Sequence, residues 1–331
     1  MALRPGGGSR PLRLASRGSP LALWQASRVA ELLGAVVGSP VCEIIVVQTT
    51  GDRRADVPVD QIGGQGAFVV EVQTAVLDGR ADMAVHSAKD LPSATPPGLL
   101  LACVPERADP RDALVGSRLA DLGVGARVAT GSVRRRAQLA WLRPDLTFVE
   151  LRGNMARRLE RAAREGAGVV AVAALDRLGL GDRVAEVLDT GTLLPQVAQG
   201  ALAVECRADD DEISGLLALV DDARAHRAVT AERSFLAALG SGCSLPVGAL
   251  ATPSGFPADG GGRAPETDDE LGLEGMMASR DGRVVLRRRC SGPDPGELGR
   301  RLAADLLDHG GWSLEDWEPG SSTGPADGPD R

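Results

Sequence analysis

Residues 12–34 read Leu-Arg-Leu-Ala-Ser-Arg-Gly-Ser-Pro-Leu-Ala-Leu-Trp-Gln-Ala-Ser-Arg-Val-Ala-Glu-Leu-Leu-Gly, and this stretch decides the fold class. Leu12 to Ala15 is a short apolar run. Ser19-Pro20 then supplies an N-cap and a proline at the first helical position, where a missing N–H is no loss and the fixed φ is already helical. Leu21, Trp24, Val29 and Leu32 are expected on the inward face of that helix. Val41 to Val47 follows as a second apolar run, read as a buried strand. The opening unit is therefore strand, helix, strand.

The same alternation continues. A helix containing Phe68, Val69, Val72 and Val76 is expected to stop at Gly79, and Met83 to His86 reads as the next strand. After Asp109-Pro110 come a strand near Arg127 to Thr130, an arginine-rich helix from Val133, a strand at Thr147 to Leu151, a helix from Asn154, and the apolar run Gly168 to Ala174. Alternation of this kind predicts mainly parallel sheets with helices on both faces, an α/β class. Ala201 to Cys206 is a further strand. Asp222 to Leu239 is a long amphipathic helix stopped by Gly240. Strands near Gly272 to Ala278 and Arg283 to Cys290, then a helix from Pro295 to Leu307, form a smaller α+β end. Residues 252–269, rich in Pro, Gly and Asp, read as a surface insertion, and residues 1–11 and 319–331 as disordered extensions.

Composition narrows the function. A chain of 331 residues, 43% apolar and 25% charged, has room for two or three cores. A net charge of −8 argues against non-specific nucleic-acid binding. No window approaches the roughly 20 apolar residues that cross a bilayer, so a cytoplasmic protein is expected. Five cysteines without a C-x-x-C pair and only three histidines give neither a disulfide framework nor a metal site much to build on, and no metal is expected. The 37 basic residues are all arginine except Lys89. A background that strongly favours arginine makes the one retained ammonium informative, because a site can depend on the difference between the two cations.

Several short strings could carry chemistry. His86-Ser87-Ala88-Lys89-Asp90-Leu91-Pro92 sets a lysine and an aspartate just past a strand end, where ligands gather in parallel α/β sheets. Asp90 is either a helix-capping residue or a group that holds a cation or passes a proton. Thr130-Gly131-Ser132 opens a helix whose first turn is Arg134-Arg135-Arg136. Backbone N–H groups there favour an anion, and three positive charges against the helix dipole suggest that an anionic ligand compensates them. Leu151-Arg152-Gly153-Asn154-Met155-Ala156-Arg157-Arg158 repeats the logic, as does Arg17 before Gly18-Ser19-Pro20. Three arginine-bearing turns imply a ligand with many carboxylates or phosphates. Arg157 is expected to face solvent. Cys243, between Gly242 and Pro246, is either packing or an accessible nucleophile or attachment point. Cys42, Cys103, Cys206 and Cys290 read as inert packing.

Taken together, ASRGSPLALWQ, TTGD, GGQGAFVVEV, ADMAVHSAKDLP, DPRDAL, TGSVRRRAQL, LRGNMARRL, LDRLGLGDR, VAQGALAVECR, TAERSFL and GSGCSLPVG resemble the porphobilinogen deaminase (hydroxymethylbilane synthase) family, from about Leu12 to Leu307. The resemblance implies two periplasmic-binding-protein-like α/β domains, 12–107 completed by 201–220, and 108–200, followed by an α+β domain at 221–318. It implies a dipyrromethane cofactor joined by thioether to Cys243, with Asp90 as the catalytic residue. Lys89, Ser132, Arg134 and Arg135 match the family's cofactor contacts, and Arg17, Ser19, Arg152, Arg158 and Arg177 its substrate contacts. The implied reaction condenses four porphobilinogens head to tail, releases ammonia at each step, and frees the tetrapyrrole by hydrolysis. A monomer is implied. Gln61 and Gln65 depart from the family, where lysine is usual, so any grip of that loop on an anionic chain is weaker here. Two other readings compete: a non-catalytic bilobal anion-binding protein, which leaves Cys243 unexplained, and a Schiff-base enzyme using Lys89.

Overall fold

Helix α1 (Pro20–Val37) follows strand β1 (Leu12–Arg17) because Ser19 and Pro20 start it, the Ser19 hydroxyl accepting from Ala22 N at 3.3 Å. The computed structural model describes residues 10–37, 42–53, 68–240, 245–253, 270–311 and 314. The expectations placed on residues 1–9, 254–269 and 315–331, and on Gln61, Gln65 and Cys243, lie outside these. The inward face of α1 is Ala22, Ala26, Val29 and Leu33. Trp24 departs from the expectation: it is 38% exposed and its ring meets Arg177, with the guanidinium carbon 5.6 Å from the ring centroid. The small alanines let α1 lie close on the sheet, and the bulky indole turns toward the neighbouring unit instead.

The first sheet has the order β2-β1-β3-β10-β4, with β2 at Cys42–Val47, β3 at Met83–Ser87, β4 at Leu99–Cys103 and β10 at Leu202–Arg207. β1 pairs in parallel with β2 and β3, as α1 and α3 (Val70–Leu77) require of their crossovers, whereas β10 is antiparallel to both β3 and β4. The second sheet repeats the plan as β7-β6-β8-β5-β9: β5 (Asp112–Val115), β6 (Arg127–Ala129), β7 (Thr147–Val149), β8 (Ala167–Ala171) and β9 (Val184–Leu188). Helices α4 (Val133–Leu142) and α5 (Met155–Glu165) make its parallel crossovers, and β5 runs antiparallel between β8 and β9. Both sheets are thus mixed, half of their pairings being antiparallel. The alternation of apolar runs read from sequence finds the parallel strands but not β4, β5 or β9. The run Gly168 to Ala174 divides, its strand ending at Ala171 and helix α6 (Val172–Arg177) beginning at the next residue.

In each sheet the fourth strand is an antiparallel one lent by the stretch that joins the two units. The chain crosses between them twice, near residues 104–111 and again at 189–201. The two crossings are bonded to each other: Ala108 N donates to Gly200 O (3.1 Å) and Arg107 Nε to Gln199 O (2.9 Å). Ala198 sits at φ 59° and Gly200 at φ 87° within the second crossing.

The third unit is the antiparallel sheet β11-β12-β13 (Val247–Pro253, Leu271–Ala278, Val285–Gly292) covered by α8 (Ala223–Ala238) and α9 (Pro295–Asp308). Asp222 and Asp294 cap these helices, and Pro295 opens α9. α8 carries Glu232, fully buried, whose carboxylate accepts from Arg107 Nη1 (2.6 Å), Ala198 N (2.6 Å) and Ala251 N (2.8 Å). One side chain therefore holds both crossings against the third unit. Arg287 makes a second tie, donating to the carbonyls of Thr190 and Gly191.

Gly200 is needed for two reasons: its positive φ, and a backbone so close that an added Cβ would lie 2.4 Å from Ala108 O. Gly166 (φ 99°) has the first constraint but open space around it. We expect Gly166→Ala to lower unfolding free energy by roughly 1–2 kcal/mol, the cost of backbone strain alone. Gly200→Ala should lose on the order of 3 kcal/mol or more, since the crossings must also separate. Urea unfolding of the two variants checks the difference.

Candidate active site

The turn Ala88–Asp90 lies at the end of β3. Ala88 is buried and its N–H donates to Ala201 O, while Leu91 is buried against the third unit's core, so Lys89 and Asp90 are held between two anchors. Asp90 lines a cleft that also takes in Arg17, Ser19, Gln25, Phe68, His86 and Ser87. Gln25 Nε2 donates to Ser87 Oγ at 2.7 Å, joining α1 to the end of β3.

Lys89 points toward the second unit. Its ammonium donates to Gln199 Oε1 (3.2 Å) and its carbonyl accepts from Gln196 Nε2 (3.2 Å). Burial, then repulsion from Arg135, lowers the ammonium to about 8. Arg158 lies in the same field. Burial and the charge of Arg135 lower its pKa, Arg152 and Arg17 add repulsion, and Asp90 opposes them. Arg17, Lys89, Asp90, Arg135, Arg152 and Arg158, taken from four separate turns in sequence, thus converge across the two α/β units.

The arginines differ in what already holds them. Arg134 and Arg135 are 3% and 7% exposed, and both are paired with Asp112, a fully buried carboxylate. Arg134 Nη2 reaches Asp112 Oδ2 at 2.8 Å, and Arg135 Nη2 reaches Oδ1 at 2.7 Å. This corrects the reading of that helix turn as charge awaiting an external anion: the compensating anion is Asp112. Its carboxylate is held well below the usual range despite the opposing effect of burial, because the two guanidiniums and Gln199 outweigh it. Ser132 acts as the N-cap of α4, its hydroxyl accepting from Arg135 N at 3.4 Å.

Arg152 is partly exposed and pairs with Glu150, and Arg158 Nε donates to Gly153 O at 2.9 Å. Arg157 is exposed, as its position on α5 implies. Arg177 sits apart from the cleft lining, against Trp24 and the carbonyl of Gly200 (2.6 Å) in the second crossing. Burial lowers it to about 10, so it stays charged at neutral pH. Buried Cys103 and Cys206 have thiols pushed up to about 12 and about 11 by burial, which makes them the inert packing expected of them. No helix among the described residues is long and apolar enough to cross a membrane.

Sequence reading missed Gln199, Asp112 and Asp52. Gln199 is fully buried, and its amide nitrogen donates to Asp112 Oδ1 (2.8 Å) and Pro110 O (2.7 Å) while its oxygen accepts from Lys89. It links the lysine of the first unit to the buried carboxylate of the second. Asp112 lies in DPRDAL and Gln199 in VAQGAL, both quoted above as motifs without a role.

Residues 12–215 match the family described as porphobilinogen deaminase, dipyromethane cofactor binding domain, and residues 226–308 its C-terminal domain. The porphobilinogen deaminase of Roseiflexus sp. strain RS-1 is 49% identical over 310 residues, covering 92% of this chain and 98% of the relative. That of Acidothermus cellulolyticus is 46% identical over 331 residues, covering 97% and 95%. That of Bacillus subtilis strain 168 is 40% identical over 313 residues, covering 93% and 96%. Among solved structures, the Bordetella pertussis extracytoplasmic solute receptor DctP7 superposes with a TM-score of 0.37 at 15% identity, covering 64% of this chain and 77% of that one.

If the Lys89 ammonium serves the site, kcat/KM should fall as pH rises through about 8 or somewhat above, bound carboxylates shifting the value upward. In Lys89→Arg the cation keeps its charge, so this alkaline limb should move beyond the measurable range. A pH profile of both proteins checks this. An identical alkaline limb in the variant excludes Lys89 as its source.

Proposed function

The chain belongs to the porphobilinogen deaminase family and is a hydroxymethylbilane synthase (EC 2.5.1.61) of tetrapyrrole biosynthesis with a dipyrromethane cofactor domain, and from that premise we propose how its residues divide the work. The observation that carries the assignment is that Lys89 and Arg158 share the fields of Asp90 and Arg135, while Arg17 lines the same cleft as Asp90. A cluster of cations in which burial and the charge of Arg135 lower the pKa of both Lys89 and Arg158 is suited to a polyanion, and every pyrrole of the substrate and cofactor bears an acetate and a propionate.

Bound through a thioether to Cys243, a dipyrromethane would supply the pyrrole carbon on which the chain grows. Each addition of porphobilinogen would break the C–N bond of its aminomethyl group, release ammonia, form a C–C bond to the terminal pyrrole and shed that pyrrole's α-proton. Four such additions and a hydrolysis give hydroxymethylbilane. Asp90, on the cleft wall, stabilises the positive charge that develops on pyrrole N–H groups as ammonia departs and takes part in proton transfer there. Lys89, Ser132, Arg134 and Arg135 hold the cofactor side. Arg135 and Arg134 do so with guanidiniums already fixed by Asp112, so little ordering remains to be done on binding. Arg17, Ser19, Arg152, Arg158 and Arg177 hold substrate carboxylates.

We assign the units as residues 12–107 with 201–220, 108–200, and 221–318, the last bearing the cofactor. The three separate sheets and the paired crossings support these bounds. We also propose a cytoplasmic monomer, as the family resemblance implies, with sedimentation velocity as the check.

The purified protein should have an intact mass greater than its sequence mass by one dipyrromethane and should colour with an acidic aldehyde reagent for pyrroles. Cys243→Ala should lack both. Asp90→Ala should keep the cofactor and turn over porphobilinogen at least 10²-fold more slowly, the usual scale of a lost acid–base group. An unmodified mass in an active sample removes the cofactor assignment, and normal turnover by Asp90→Ala removes Asp90 from the mechanism.

A further inference from the structure

The turn Thr49-Thr50-Gly51-Asp52 has no part in the chemistry above, yet three of its four residues shape the surroundings of Arg17, and the fourth fastens the turn. Asp52 takes one edge of the guanidinium: Arg17 Nε lies 3.2 Å from both carboxylate oxygens, and Nη2 donates to Oδ1. Thr49 fixes Asp52 in turn, its hydroxyl donating to Oδ2 at 2.7 Å and its N–H approaching at 3.3 Å. Thr50 fastens the turn to α3 through Glu71, which accepts from its N–H at 2.7 Å and from its hydroxyl.

Gly51 has a different task. A Cβ there would lie 2.1 Å from the Phe68 ring, so only glycine lets that ring settle against the turn. From this position Phe68 packs on the guanidinium of Arg17, whose central carbon is 4.3 Å from the ring centroid. Arg17 is held at an edge by a carboxylate and at a face by an aromatic ring. Its Nη1 group has no hydrogen-bond acceptor among the described residues, and the side chain lines the cleft that contains Asp90.

We propose that Asp52 is a positioning residue for substrate binding: it occupies the Nε/Nη2 edge of Arg17, with Phe68 across one face, and so leaves the Nη1 side for a substrate carboxylate. The proposal rests on the reading of Arg17 as a substrate contact. Two effects of Asp52 oppose each other. Its charge repels an incoming carboxylate, and its bonds remove rotamer freedom that the arginine would otherwise lose on binding. Arg17 and Asp52 are each 25% exposed, so water screens the repulsion, whereas the geometric restraint is not screened. Positioning wins. The carboxylate stays ionised through the working pH range because the bonds from Arg17 and Thr49 outweigh the effect of burial.

Steady-state kinetics of the holoenzyme with porphobilinogen test this, with intact mass confirming the cofactor and a thermal melt confirming the fold. Asp52→Ala should raise KM about tenfold and change kcat by less than about threefold. Asp52→Asn, which keeps one acceptor and the shape but loses the charge, should raise KM by a smaller factor. In an Arg17→Gln background the Asp52→Ala effect should vanish, a result that general loosening of the turn would not give. Asp52→Glu should recover part of the loss. A KM for Asp52→Ala within twofold of wild type, a fall in KM for Asp52→Asn, or an undiminished tenfold effect in the Arg17→Gln background each overturns the proposal. If Arg17→Gln alone leaves KM unchanged, the substrate reading of Arg17 has failed and the proposal falls with it. Should Asp52→Ala not accumulate folded, Asp52→Asn and its double variant carry the test.

Discussion

Asp112 is the charge on which the site depends. A fully buried carboxylate is tolerated only when donors surround it, and here Arg134, Arg135 and Gln199 supply bonds between 2.7 and 3.1 Å. Removing one partner of such a group typically costs about 3–5 kcal/mol, because the remainder is left charged and dry. The restraint therefore works in both directions. The two guanidiniums are as firmly fixed as the carboxylate, and through Gln199 the same node reaches Lys89 on the first unit. A ligand binding beside Lys89 meets cations whose positions were set when the chain folded.

The chain path makes that node possible. An antiparallel strand inserted into each otherwise parallel sheet sends the backbone back through the junction, so two crossings run side by side instead of a single linker. Glu232 then satisfies donors from the first crossing, the second crossing and β11 of the third unit. Two crossings bonded to each other restrict relative twisting of the α/β units more than one flexible connection would. The helix bearing Glu232 ends at Ala238, five residues before Cys243.

Much of this architecture was legible in the sequence wherever a local signal decides a local outcome. Ser19-Pro20 starts α1, Asp222 and Gly240 bound α8, and the apolar runs at Val41 to Val47 and Met83 to His86 mark parallel strands. β4, β5 and β9 were not legible because they lie outside the strand–helix–strand rhythm that exposed even the three-residue β6 and β7. Trp24 misled because size suggests burial, whereas the alanines of α1 are what fit against the sheet. Among the site residues, Lys89 stood out through composition, and Asp90 through its place at a strand end. Asp112 did not, because DPRDAL gives no hint that its aspartate points into the core toward a turn twenty residues away. Long-range pairing of this kind leaves no periodic trace. Cys243 shows the opposite limit: residue chemistry left packing and attachment both open, and only the family resemblance distinguishes them.

On the proposed reading of these cations as carboxylate contacts, the arrangement of counter-ions lets an acidic protein hold a polyanion without trapping it. Arg134 and Arg135 are paired with Asp112, Arg17 with Asp52, and Arg152 with Glu150. Lys89 and Arg158 instead feel mainly burial and one another's neighbours, which weakens their hold on a proton. A carboxylate entering the cleft therefore finds cations already graded by competition. Binding to each replaces part of an existing interaction and so yields less than binding to a bare charge would. A site of bare guanidiniums would grip the first pyrrole carboxylates too firmly for later units to displace them. Graded competition keeps each contact weak while the sum stays large, and that is what a chain lengthening through a fixed set of side chains requires.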